Sequence, residues 1–142
     1  MTVTIPVNSP ANATYPISYG AGSAGFYNNG VTIVGDTATI PATGVWSIVP
    51  SLFIDNPRTN TSQIIQSYDL VITVNGVAYR DFRETNYDDV TGRAADVTYA
   101  WNARLEANDQ LQIILRIGNA LSGAGEQADI QSVLSIQLLA IP

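Results

Sequence analysis

The sequence predicts an all-β protein, a sandwich or barrel of about ten short strands. Three observations carry that expectation. Short runs alternate apolar and polar residues, with Gly-, Pro- and Asn-containing turn signals between them. No run follows the period of a helix. One stretch, Thr39–Asp55 (TIPATGVWSIVPSLFID), alternates over an unusual length and carries apolar groups on both faces. Trp46, Ile48, Leu52 and Ile54 share one face, and Val45, Ser47, Val49 and Phe53 share the other. A strand apolar front and back belongs in the middle of a sheet or at a contact between subunits.

Taken in order, Thr2–Val7 reads as a short strand. Pro10, Pro16, Gly20, Gly22 and Gly25 follow, with small residues between them, and mark irregular chain running over a surface. Residues 1–25 therefore read as an arm that leaves or wraps the domain, or as a mobile linker, with the domain proper at 26–142. Asn29-Gly30 is a turn signal. Val31–Val34 and Thr37–Ile40 are two short strands around Gly35-Asp36, and Pro41 and Gly44 punctuate the entry to the central strand. Pro50 lies inside that strand and cannot donate to a ladder, so a bulge is expected there, or a place where the neighbouring strand has ended.

Asn56–Ser67 is a polar loop long enough to be functional. Asp69–Val74 and Val77–Arg83 flank Asn75-Gly76, a hairpin of type I′ geometry, where both central residues need positive φ. Glu84–Asp96 (ETNYDDVTGRAAD) is the most charged loop. Val97–Leu105 and Leu111–Ile117 are strands, Gly118–Ile130 is a loop, and Gln131–Ile141 is the last strand. Leu134, Ile136 and Leu138 fall on one of its faces.

Composition narrows the chemistry. The 142 residues suffice for one domain with a sizeable core. Charged residues make up 13% of the chain, about half of the roughly 25% typical of globular proteins. Low charge points to surface buried against copies or partners, or simply to a polar uncharged surface rich in Asn, Thr, Ser and Gln. The net charge is −6, and the six basic residues, all Arg, are scattered, so no stripe exists to neutralise phosphates and nucleic-acid binding is not expected. With no Cys and no His, thiol chemistry, disulfides, Cys/His zinc sites and Ser-His-Asp catalysis are excluded. MTVTIPVNSP has neither a charged leader nor a continuous apolar block, and no apolar run reaches the length of a membrane span. Neither a secretory signal nor a membrane partner is expected.

Several motifs resemble a known family. Ile40-Pro41 followed by Gly44-Val45-Trp46, the turn Val74-Asn75-Gly76, Leu105-Glu106-Ala107-Asn108-Asp109 and the closing run Ser132–Leu139 (SVLSIQLL) resemble, in that order, the tumour-necrosis-factor-like jelly roll, which includes the complement globular head. Asn108 stands where that family has Gly, and Asn tolerates the positive φ required there. The resemblance covers residues 26–141. With no collagen-like stalk and no cysteine, the chain looks most like viral and bacteriophage relatives, in which the fold serves as a decoration protein, a spike or a fibre head. The resemblance implies a homotrimer with the sheet of the central, Val97–Leu105 and Gln131–Ile141 strands toward the axis. Trp46, Ile48, Val49, Phe53, Tyr99, Trp101, Leu134, Ile136 and Leu138 are then the residues of the core and of the trimer interface. Obligate interfaces of this kind bury on the order of 2,000 Å² or more.

Candidate sites are few. Asp88 and Asp89, with Glu84 and Asn86 nearby, are candidate calcium ligands; a solvated acidic loop needs no ligand, and no EF-hand spacing is present. Asp81, Glu84, Asp88 and Asp89 are the acids available for paired acid–base work, with no supporting motif. Tyr15, Tyr19 and Tyr27 either form a recognition surface on the arm or pin it to the domain. Tyr99 and Trp101 read as core packing. The glycine-rich run at 20–25 lacks the Lys and the helix of a phosphate loop. No cofactor is implied. The function expected is non-enzymatic: a trimeric decoration (cement) protein of a bacteriophage or other virion, assembled in the host cytoplasm, with the viral capsid protein as partner. The alternative is the receptor- or glycan-binding head of a viral spike or fibre, or of a bacterial surface protein, using the loops 56–67, 84–96 and 118–130. Removal of residues 1–25 is expected to separate the two: a decoration protein loses its shell, a receptor binder keeps its ligand.

Overall fold

Alternation in sequence becomes alternation in burial. Along Gly44–Phe53 every even-numbered residue is buried, while the odd-numbered ones are half-buried or exposed. The computed structural model describes residues 2–6, 9–18, 25–27, 30–56, 68–84, 93–118 and 128–141. All elements among them are strands: β1 (Thr2–Ile5), β2 (Thr14–Pro16), β3 (Gly25–Tyr27), β4 (Thr32–Val34), β5 (Thr37–Thr39), β6 (Gly44–Asn56), β7 (Tyr68–Val74), β8 (Val77–Glu84), β9 (Arg93–Thr98), β10 (Trp101–Leu105), β11 (Gln110–Ile117) and β12 (Ala128–Ala140).

They form two sheets. Sheet A has the order β1-β12-β6-β10, with β3 also on β12 and β9 also on β6. Sheet B has the order β4-β5-β11-β7-β8, with β2 also on β11. From β6 onward the chain passes back and forth between the sheets, which is the winding of a jelly roll. Trp46, Ile48, Leu52, Leu134 and Ile136 of sheet A face Leu70, Ile72, Leu111, Ile113 and Leu115 of sheet B in one core. The buried Trp46 indole donates to Ala42 O at 3.1 Å, so its polar edge is satisfied.

Four features differ from the sequence reading. Val97–Leu105 is two strands, broken at Tyr99-Ala100. The break lies opposite Pro50: β10 pairs with β6 up to Ile48, β9 takes over at Ser51, and Tyr99 N donates to Pro50 O at 3.0 Å. In a strand a residue's N–H and C=O point the same way, so the donor that Pro50 lacks faces this gap, while the ladder to β12 runs on through Leu134. Of the two expectations for Pro50, the interrupted neighbour is the one found. Second, two stretches read as loop are strand: Arg93–Asp96 pair with β6, and Ala128–Ile130 open β12 and pair with β1, with Asp129 and Ile130 also on β6. Third, residues 1–25 supply strands to both sheets: β1 runs beside β12, β2 beside β11, and Ile5 and Ile17 are fully buried in the core. Fourth, β3 adds a parallel strand beside Leu134–Ile136.

The two ends of the sandwich are unlike. One end carries short turns tied to each other. Asn75 and Gly76 have φ of 53° and 80°, the type I′ pair, and Asn108 has φ of 70°. Asn75 Nδ2 donates to Asp109 Oδ1 at 2.8 Å, and Asp109 Oδ2 accepts from Glu106 N at 2.8 Å. Thr43 Oγ1 donates to Glu106 Oε2 at 2.8 Å, joining the β5–β6 connection to the same knot. The opposite end holds the β1–β2 turn and the connections β6–β7, β8–β9 and β11–β12.

The outward face of sheet B is held by an ion pair. Arg116 and Asp69 are cross-strand partners on β11 and β7, and the guanidinium donates to the Asp69 carboxylate through Nε at 2.9 Å and through Nη2. Asp81 lies 3.5 Å from the same Nη2. Arg116→Met leaves the Asp69 side chain, 10% exposed, without that partner. The loss expected in urea unfolding is about 2 kcal/mol, below the roughly 3–5 kcal/mol of a fully buried pair, because Arg116 keeps 34% exposure. An unchanged midpoint contradicts it.

Gly44 is fixed by a close approach. The register of β6 on β12 shifts between Leu138 and Ala140, and a Cβ on Gly44 falls 2.7 Å from Ala140 O and 2.7 Å from Leu138 Cδ1. Gly44→Ala is expected to lower stability by about 2 kcal/mol, the cost of overpacking against backbone. The urea midpoint and near-ultraviolet dichroism of Trp46 check it; wild-type values contradict it.

Candidate functional site

Three surfaces have the make-up of interaction sites. The first is the outward face of sheet A. Cross-strand pairing sets Ser47 against Gln137, Val49 against Ser135 and Ser51 against Val133, so apolar and hydroxyl groups interleave. Phe53 extends the face toward one end, and Val45, 37% exposed and paired with Ala140, extends it toward the other. Arg104, paired with Glu106 at 3.4 Å, stands at its margin. The middle of the face, from Ser47 to Ser51, is uncharged and built from the two longest strands, whereas the register sets Asp96 against Phe53 and Asp129 against Asp55 toward one end.

The second surface is the flank where the β8 edge of sheet B meets the β9/β10 edge of sheet A. Phe82 and Tyr99 stack with centroids 4.7 Å apart and planes 23° apart. Tyr99 OH and Tyr68 OH are 3.0 Å apart, which joins the two sheets by a hydrogen bond. The Arg80 guanidinium carbon lies 5.1 Å from the Phe82 centroid, a cation–π contact. Tyr79, 62% exposed, reaches Trp101 with centroids 6.3 Å apart. Sequence reasoning missed Tyr79, Arg80 and Phe82. Tyr79 and Phe82 are three residues apart, which strict alternation cannot place on one flank. A bulge does so: the β7–β8 register shifts between Ile72 and Thr73, and Tyr79 is the extra residue. That odd spacing of aromatics within a strand is the signal that was available.

The third surface is the end of the sandwich with the long connections. Strand termini that flank them are in register: Asn56 with Arg93, Tyr68 with Glu84, and Ile117 with Tyr68. The three loops singled out in the sequence therefore leave the sandwich at one end, as does the β1–β2 turn.

The expected site residues fall as follows. Trp46, Ile48, Leu134 and Ile136 are core, and Leu138 packs partly against it. Val49 and Phe53 lie on the outward face of sheet A, half-buried in the single chain. Tyr99 and Trp101 pack partly against the core from the flank. Tyr15 packs partly against the core; Ser9 Oγ donates to Pro6 O at 2.8 Å, so its single proton is committed, and the Tyr15 hydroxyl donates to Ser9 Oγ within the same segment. Tyr19, Asp88 and Asp89 lie outside the described residues, and of Tyr27 and Glu84 only the backbone is described. Asp81 engages Arg116 on sheet B rather than a second acid. Among the described residues no three acidic side chains gather as a metal site.

No family model and no curated protein matches the sequence. Solved structures match it by fold. The chain is similar to murine APRIL in two crystal structures, each with a TM-score of 0.52. Identity is 13% over 90% of this chain and 95% of that one in the first, and 14% over 95% of each in the second. It is also similar to Eiger TNF from S. frugiperda, with a TM-score of 0.50 and 16% identity over 98% of this chain and 85% of that one. Together with the two-sheet winding, these likenesses establish the architecture: the chain is an all-β jelly roll of the TNF-like kind.

Proposed function

We propose that the chain is a non-enzymatic structural protein, a homotrimer that decorates and reinforces the shell of a bacteriophage or other virus. The observation that carries the assembly is the outward face of sheet A, where the half-buried Val49 pairs with Ser135 and lies between Ser47 and Ser51 with no charged partner in register. A three-fold ring is heterologous, so each copy offers one patch to the copy before it and a different patch to the copy after it. This chain has two such patches, the outward face of sheet A and the aromatic flank at Tyr79 and Trp101. Low total charge suits a molecule with much surface covered in this way.

The shell role rests on the third surface. A decoration protein acts by mass action: it binds the assembled lattice and not the loose subunits, and so favours the lattice. The end that carries the long connections leaves the trimer surfaces free, and the β1–β2 turn lies at that same end. A second reading, a receptor- or glycan-binding head, uses the same end, and the strand termini that flank 57–67, 85–92 and 119–127, which lie together there, favour it.

Light scattering checks the assembly. The wild type is expected at the mass of three chains. Val49→Asp places a charge on the outward face and leaves the core strand positions untouched. It is expected to weaken association by about 3 kcal/mol or more per interface and to give the mass of one chain. Tyr79→Ala is expected to weaken it by about 2 kcal/mol, as loss of an aromatic anchor does. A wild type that runs as a folded single chain ends the trimer reading. Sedimentation with assembled shells from the source virus, against a panel of immobilised glycans, then separates the two roles. Pelleting with shells supports decoration. Glycan capture without pelleting replaces it with the receptor head.

A further inference from the structure

The Asn75-Gly76 turn carries a chemistry of its own. In an Asn-Gly pair the glycine nitrogen has no neighbouring side chain to hinder its approach to the asparagine amide. Gly76 N attacks Asn75 Cγ. A Gly76 N–Cγ bond forms, the Cγ–Nδ2 bond breaks, and ammonia leaves with the proton given up by Gly76 N. Water then opens the cyclic imide to aspartate or isoaspartate. No further reagent is needed.

The fold opposes the first step. Asn75 Nδ2 donates to Asp109 Oδ1 at 2.8 Å, and Asn75 Oδ1 accepts from Gln110 N at 2.9 Å. The Asn75 N–H donates to Gln110 O at 2.8 Å, so the backbone is held as well. Swinging Cγ toward the Gly76 nitrogen breaks both side-chain bonds. The residue is nevertheless exposed, so water reaches it once the turn opens.

We propose that Asn75 is a spontaneous deamidation site gated by the fold, slow while the short-turn end is knotted and fast when that end opens. The product then prevents reclosure. An aspartate at 75 turns a donor into an acceptor and sets a carboxylate against that of Asp109. Isoaspartate inserts an extra backbone atom into a turn in which Val74 pairs directly with Val77. The β7–β8 hairpin tip thereby detaches from the β10–β11 turn, and conversion is one-way.

The test is peptide mapping by mass spectrometry during incubation of the full chain at mildly alkaline pH. It compares the native protein with the same protein in concentrated urea. Conversion at Asn75 is expected to be at least about tenfold slower in the native protein, since opening must break a charge-assisted hydrogen bond. Asp109→Ala, folded by circular dichroism, is expected to speed native conversion at Asn75 by about tenfold, while Asp109→Asn, which keeps one uncharged acceptor for the two donors Asn75 Nδ2 and Glu106 N, is expected to fall between that and the wild type. Asn75→Asp, which makes the product directly, is expected to melt below the wild type. Equal rates in buffer and urea overturn the gating, and this comparison stands whether or not the variants fold. An Asp109→Ala rate equal to wild type overturns the role of the latch. Absence of conversion in urea overturns the site itself.

Discussion

The pairing of β6 with β12 is the constraint on which the rest depends. Inward residues meet inward residues along it: Trp46 opposite Leu138, Ile48 opposite Ile136, Pro50 opposite Leu134 and Leu52 opposite Ser132. A slip of β6 by one residue would put Ser47 and Ser51 into the core and Trp46 into water, so the register is strongly specified. Everything else in sheet A is attached to this pair. β9 and β10 share the far edge of β6 on either side of Pro50, and β1 and β3 share the far edge of β12. Proline is tolerated in the middle of a sheet because its silent side faces a gap between two strands, and the gap exists where the proline needs it.

What could be read from the sequence follows from how local its cause is. The faces of β6 and β12 were legible because alternation is set residue by residue. The Asn75-Gly76 hairpin and the positive φ at Asn108 were legible because turn chemistry is local too. β2 and β3 were not. Three residues each, they are strands only because β11 and β12 offer an unpaired edge, and nothing in their own sequence requires pairing. Arg93–Asp96 was read as loop from its charge, whereas its pairing is imposed by Phe53–Asn56 across the sheet. The aromatic flank was missed for a related reason. Its assembly needs a bulge in β8 and a break between β9 and β10, two irregularities on different strands that only the packed sandwich brings side by side.

The surfaces divide the work of the molecule. The short-turn end is internally satisfied: backbone groups of Ile40, Asn75, Glu106 and Asp109 find partners across three connections. It is built to stay closed. The outward face of sheet A has the opposite character, since the backbones of its two long strands are paired with each other along their length while Val45 and Val49 leave apolar area unused. Such a face gains by contact with another surface and loses nothing in hydrogen bonding when covered. The TNF-like winding brings the two longest strands side by side on that face, which is why the extent of apolar surface there follows from the topology and not from composition alone.

This division decides which perturbations are informative. Residues 1–25 hold a strand of each sheet and the core residues Ile5 and Ile17, so removing them takes away part of both sheets and of the core. Loss of partner binding after such a cut would report on folding as much as on recognition. Alternation offers a cleaner separation. On β6, Ile48 and its even-numbered neighbours fill the space between the sheets, whereas Val49 and its odd-numbered neighbours look outward. Core packing and the outward surface are thus written on alternate residues of one strand, and a change of one residue position moves an experiment from folding to the proposed assembly.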